Sequence, residues 1–125
     1  MVYVDGYVLP VPKKKIKAYK AMARMGAKMW RKHGALDYKE CVADDLFPKM
    51  KGFHPSIRFP NTVKAKPNET VVFSFIVYKS RAHRDAVNAK VMKDPAMNDP
   101  KNKDMEMPFD MKRMVYGGFK VIVDA

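Results

Sequence analysis

The chain contains a single cysteine, Cys41. No disulfide can form within it, and a reducing cytoplasm is the expected compartment. Lying in a β-prone stretch, that thiol is expected to be packed rather than nucleophilic. No apolar run approaches the roughly 18 residues that cross a bilayer, so no membrane span is expected. The opening MVYVDGYVLP has no basic segment and no long apolar one, so no secretory signal is expected. The three histidines, His33, His54 and His83, show no HxH or HExxH spacing and there is no CxxC, so no metal site is expected. Walker A, GxGxxG and GxSxG patterns are absent too, and no cofactor is indicated. Internal repeats and low-complexity segments are missing. Acidic residues are absent from the whole stretch between Gly6 and Leu36.

What is present suits one domain of 125 residues, with 47% hydrophobic residues for a core and 30% charged residues. The net charge of +12 attracts polyanions, or simply solvates the surface. Residues 2–9, VYVDGYVL, read as a first strand, ended by Pro10 and Pro12. Residues 13–33 read as a helix capped by Gly34. At about 100° per residue, Ile16, Tyr19, Ala23, Ala27 and Trp30 form its core stripe. Lys13, Lys17, Lys20, Arg24, Lys28 and Arg31 form a basic stripe, and Met22, Met25 and Met29 a third.

Residues 35–43, ALDYKECVA, read as a second strand. A long connection over 46–70 follows, in which RFPNTVKAK fits a helical turn or a short extra strand. VVFSFIVY, residues 71–78, is apolar at almost every position and reads as a strand buried on both faces. Ser80 is a fitting N-cap for a helix over 81–93, which Asp94-Pro95 ends. Residues 95–112, with three prolines, are expected to be irregular, and 117–125 to form the last strand. The order β-α-β-β-α-β is the ferredoxin-like, α+β pattern, with helices on one face of a four-stranded sheet. Apolar residues on the other face need a cover, for which a second copy of the chain is the simplest source, so a two-fold homodimer is expected.

The stretch YKSRAHRDAVNAKVM, residues 78–92, concentrates polar groups. On a helical wheel, His83 falls among Ala82, Ala86, Ala89, Val87 and Val91, and Arg81, Arg84, Asp85 and Asn88 gather on the opposite arc. Arg81 and Arg84 lie in the first turn, where cations oppose the helix dipole and an anionic partner would relieve them. Asp5 is an aspartate inside a strand, which is disfavoured and needs a partner, either His83 or a basic side chain. The candidate catalytic set is therefore His83 as acid or base, Asp5 to orient it and Tyr38 as a hydroxyl donor. Arg81, Arg84 and Asn88 are candidate ligand-binding residues. The Gly117-Gly118 pair fits a bulge or turn, or close backbone approach to a ligand.

Four blocks carry a resemblance: YVDGYVLPVPK, WRKHGALDYKECVADD, ETVVFSFIVYKSRAHRDAVNAKVMKDP and MPFDMKRMVYGGFKVIVDA. They resemble the YbaA-like family of small bacterial proteins. The likeness spans nearly the whole chain, departing at LFPKMKGFHPSIRFPNT and at Phe75, where a tryptophan would be expected. The resemblance implies a ferredoxin-like, dimeric α/β barrel and brings no established activity. Three functions fit: binding or transformation of a small molecule in a pocket at the sheet, polyanion or nucleic-acid binding through the basic stripe, and a structural dimer without catalysis.

Overall fold

The computed structural model describes residues 1–102 and 107–125. It is an α+β structure in which four antiparallel strands form one sheet, in the order β2-β3-β1-β4. Chain order is β1 (Tyr3–Pro12), α1 (Ile16–Lys32), β2 (Asp37–Val42), the single turn α2 (Phe59–Thr62), β3 (Glu69–Tyr78), α3 (Arg81–Lys93) and β4 (Val115–Lys120). A 3₁₀ turn, Lys13–Lys15, leads into α1, and two more lie at Pro100–Asn102 and Met111–Arg113. The irregular stretch expected over 95–112 is described except at 103–106, which lie outside the described residues.

Strand alternation puts Tyr3, Tyr7, Leu9 and Val11 of β1 on the same face as Val72, Ile76 and Tyr78 of β3. That face carries both helices. Tyr19 and Ala23 of α1 pack on Leu9, Val11 and Val72, while Val87 and Val91 of α3 pack on Tyr3, Ile76 and Tyr78. The opposite face has no helix. It shows Val4 and Val8 of β1, Phe73, Phe75 and Val77 of β3, and Val115 and Phe119 of β4. Phe73 is 44% exposed and Phe119 62%. Phe59 of α2 meets Phe73 edge-on, so the long connection shields one end of this face.

Two caps match their sequence signals. Ser80 Oγ accepts the N–H of His83 at 3.0 Å. Gly34, at φ 114°, turns the chain out of α1, in a region of backbone conformation that glycine adopts without strain. The expectation that Pro10 and Pro12 end the first strand is corrected, because both lie inside β1. The Lys13 N–H bonds to Asn68 O at 2.9 Å, so odd-numbered amides of β1 point toward β3. The proline nitrogens point the other way, where pairing with β4 has already stopped at Val8–Val115. No ladder bond is lost there, as at a sheet edge. The last strand is displaced as well: it begins at Val115 and ends at Lys120, leaving Ile122 and Val123 exposed. Cys41 is exposed rather than packed.

Arg113 fastens the chain that follows the undescribed residues. It donates to both carboxylate oxygens of Glu69, at 2.6 and 2.7 Å, and to Asp110 at 3.0 Å. This bidentate pairing helps set Phe109 and Met114 against the Leu9–Tyr19 cluster.

Candidate functional site

Two carboxylates lie on the helix face of the sheet. Asp5, on central strand β1, is fully buried. Its nearest cation is Arg84 of α3, with Nε 3.9 Å from Oδ1. Arg84 reaches this place by lying 5.0 Å over the Tyr3 ring and donating to Tyr3 Oη at 3.0 Å and Tyr116 Oη at 3.4 Å. Neither Asp5 oxygen has a hydrogen bond of normal geometry among the described residues, and the Arg84 Nε has none either. Burial pushes the Asp5 carboxyl above its ordinary range; Arg84, Tyr116 and Tyr78 pull it back, and Asp85 adds to the rise. Gly118 stands opposite Asp5 in β4. A Cβ there would lie 2.2 Å from Tyr3 Oη, whereas at Gly117 the nearest contact would be an ordinary 3.6 Å. Close approach of a side chain, rather than of a ligand, therefore accounts for the second glycine of the pair.

The candidate catalytic set does not assemble. His83 is half-buried; its Nδ1 accepts the Lys79 N–H at 2.9 Å and its ring meets Tyr78 edge-on. Asp5 is thus paired with Arg84, one residue and about 100° further along the helix, and not with His83. The polar arc expected to be solvated is also only partly so. Arg81 and Asp85 are exposed, but Asn88 turns to the core, accepting from Trp30 Nε1 at 3.1 Å and, at the long limit of 3.5 Å, from Tyr78 Oη. Arg84 and Asn88 lie on the same helical face as the buried Val87 and Val91, whereas Ala82, Ala86 and Ala89 are exposed. The alanine flank of the expected apolar arc is therefore turned away from the sheet, and Arg84 and Asn88 hold α3 to it.

Tyr38 sits elsewhere, on edge strand β2. Its hydroxyl donates to Glu40 Oε2 at 2.7 Å, and Tyr19 of α1 donates to Glu40 Oε1 at 2.6 Å. Burial, reinforced by Glu40, pushes both phenols far above their ordinary range, so they remain donors at neutral pH. These three residues border a cavity of about 500 Å³ between α1 and β2, lined also by Ile16, Ala23, Ala27 and Val72, with Lys20 and Arg24. On their other side is a smaller chamber of about 150 Å³, lined by Tyr7, Met22, Trp30, Phe109 and Met114. Ligand pockets commonly have the larger volume and this mix of apolar walls with a few convergent polar groups.

Gly26 leaves room for the arrangement. Glycine inside a helix costs roughly 1 kcal/mol relative to alanine, but a Cβ at Gly26 would come within 3.0 Å of Tyr38 Oη. Tyr19, Gly26 and Glu40 were not among the candidates drawn from sequence. The spacing of Tyr38 and Glu40 held the signal, since residues two apart in a strand share a face.

The basic stripe of Lys13, Lys17, Lys20, Arg24, Lys28 and Arg31 is exposed throughout. Among the described residues, no three His, Cys, Asp or Glu side chains gather closely enough to hold a metal ion, and no helix is long and apolar enough to cross a membrane.

Comparison with known proteins gives relatives but no activity. A family model described as "Protein of unknown function (DUF1428)" matches residues 2–111. Over 124 residues the chain is 48% identical to "Uncharacterized protein YbaA" of Escherichia coli, with 99% of each chain covered, and equally so to the protein of that name in Shigella flexneri. Among solved structures, the "De novo designed protein Foldit4" aligns with a TM-score of 0.44 and 8% identity, over 97% of this chain and 99% of that one.

Proposed function

The chain belongs to the DUF1428 family of proteins of unknown function, and on that premise we propose that it binds or transforms a small molecule in the cavity between α1 and β2, as a two-fold dimer of ferredoxin-like, α/β-barrel type. The observation that carries the reading is the Tyr19–Glu40–Tyr38 bracket, a carboxylate held at each oxygen by a neutral phenol on the wall of a ligand-sized space. In this reading Tyr38 spends its hydroxyl proton on Glu40, and Glu40 takes the place given to His83 and Asp5. The strand order, with β1 and β3 at the centre and helices on one face, supports the ferredoxin-like assignment. The exposed Phe73, Val115 and Phe119 support sheet-to-sheet pairing of two copies.

Polyanion binding through α1 is the second reading, favoured by six exposed cations in a stretch without a single acid. Native mass spectrometry of the protein purified at moderate salt tests both. The expected result is a dimer carrying a small mass, and loss of that mass but not of the dimer in Ala27→Phe, which narrows the cavity. A monomer carrying oligonucleotide that leaves steeply as salt rises would overturn the cavity reading in favour of the polyanion one.

A further inference from the structure

The walls of the α1–β2 cavity also specify what kind of molecule enters it, an inference that rests on the reading above. Its inner end is an acceptor site. Each Glu40 oxygen takes one phenol proton, and a carboxylate has about four lone-pair positions, so acceptor capacity remains on a group that borders the cavity. Tyr19 and Tyr38 have spent their only protons on Glu40. A molecule reaching this point satisfies the site by bringing a donor of its own.

The exposed side is cationic. Of the six residues in the basic stripe, Lys20 and Arg24 line the cavity. They stand four apart, one above the other on the helix, and both are exposed. Neither forms an ion pair among the described residues, and the one carboxylate lining the cavity, Glu40, is engaged by the two phenols. Two unpaired cations at an opening select against an ammonium ligand, which Glu40 alone would favour, and for an anion. Ile16, Ala23, Ala27 and Val72 lie along the wall with them and offer hydrocarbon.

We propose that the cavity takes a small amphipathic hydroxy acid, its carboxylate on Lys20 and Arg24, its apolar body along Ala23, Ala27 and Val72, and its hydroxyl donating to Glu40. Gly26 acts as a positioning residue by keeping Tyr38 Oη under the helix.

The test uses three probes of one chain length, 8-hydroxyoctanoate, octanoate and 1,8-octanediol, titrated into the full-length protein by calorimetry, with amide NMR shifts to locate them. The expected result is that 8-hydroxyoctanoate shifts residues around Ala23, Ala27 and Tyr38 and binds at least tenfold more tightly than the other two. The paired change Lys20→Gln with Arg24→Gln should reduce it to the affinity of the diol and leave the diol unchanged. Glu40→Gln should narrow the gap between 8-hydroxyoctanoate and octanoate, because an amide keeps one acceptor oxygen but loses the charge that strengthens the bond. Equal binding of the three probes, tightest binding of the diol, or ratios unmoved by these substitutions would overturn the hydroxy-acid assignment; if the diol still shifts cavity residues, the cavity reading stands without it. If no probe shifts a cavity residue, the assignment is overturned, and the cavity reading is decided separately by the native masses of the wild type and Ala27→Phe.

Discussion

Asp5 under α3 and Glu40 under α1 are both carboxylates among tyrosines, yet their surroundings differ in kind. Asp5 is on a central strand, fully buried, with a guanidinium near it and no hydrogen bond of normal geometry. Glu40 is on the edge strand, half-buried, with a phenol on each oxygen and open space beside it. The difference follows from the sheet order. A central strand is flanked by neighbours on both sides and roofed by a helix, so a charge there meets only protein. An edge strand has one neighbour, and α1 spans it without filling the gap, since Ala23 and Ala27 are small. Residue type alone does not separate a site from a structural charge; access does.

The largest expected effect lies on the sealed side. Arg84→Met should destabilise the protein by about 3 kcal/mol, because removing one partner leaves a buried charge uncompensated. The figure belongs at the low end of that range because Asp5 can take up a proton. Adding Asp5→Asn to Arg84→Met should recover a good part of the loss, giving a coupling that urea unfolding of the four proteins would measure. Additive losses would mean that Arg84 acts through the Tyr3 ring alone.

Intermediate in size is a dependence on pH. The folded Asp5 carboxyl sits above its ordinary value of 3.8. Its contribution to stability is therefore fully present below 3.8 and is lost as pH rises through the folded value. Asp94 has the opposite sign. The N–H of Ala96, then Lys32 and His33, hold it well below the ordinary range, so its contribution is present above 3.8 and is lost as pH falls. Unfolding measured from pH 3 to 8 should show Asp5→Asn gaining on the wild type as pH rises, and Asp94→Asn losing on it over the same interval. Parallel curves for Asp5→Asn and the wild type would show that the Asp5 carboxyl titrates alike in the folded and unfolded protein.

Much of the fold could be read from the chain because its signals are local. Ser80 caps α3, Gly34 ends α1, and the Tyr19–Ala23 stripe is buried as its spacing implied. Sequence missed features set by what a neighbour does. Pro10 and Pro12 read as terminators because nothing in the chain says that β4 stops pairing at Val8. The wheel of α3 grouped Arg84 with Asn88 correctly but turned the alanines to the sheet; Ala82, Ala86 and Ala89 are exposed, and Arg84 and Asn88 share the buried side with Val87 and Val91. Asp5 stood out as a strand aspartate needing a partner, and a basic side chain was one of the two choices. Glu40 stood out less, because a glutamate in an alternating strand usually faces water; a tyrosine from α1 and the α1 glycine above Tyr38 made it otherwise.

The smallest expected effect carries the most weight for function. Tyr38→Phe removes one of the two hydrogen bonds to Glu40. A hydrogen bond is worth roughly 1 kcal/mol net, and the cavity lets solvent replace the lost phenol, so the cost in stability should be at most about that. Denaturant unfolding would measure it, alongside the affinity for whatever small mass the protein carries, which should fall by more than the stability does. A Tyr38→Phe protein as damaged as Arg84→Met would make Glu40 a structural carboxylate like Asp5. A protein of unchanged stability and unchanged affinity would show that the phenol serves neither the fold nor the ligand. The cavity reading needs the result between these two, a cheap change to the fold and an expensive one to binding, because that is how a preorganised site differs from a core.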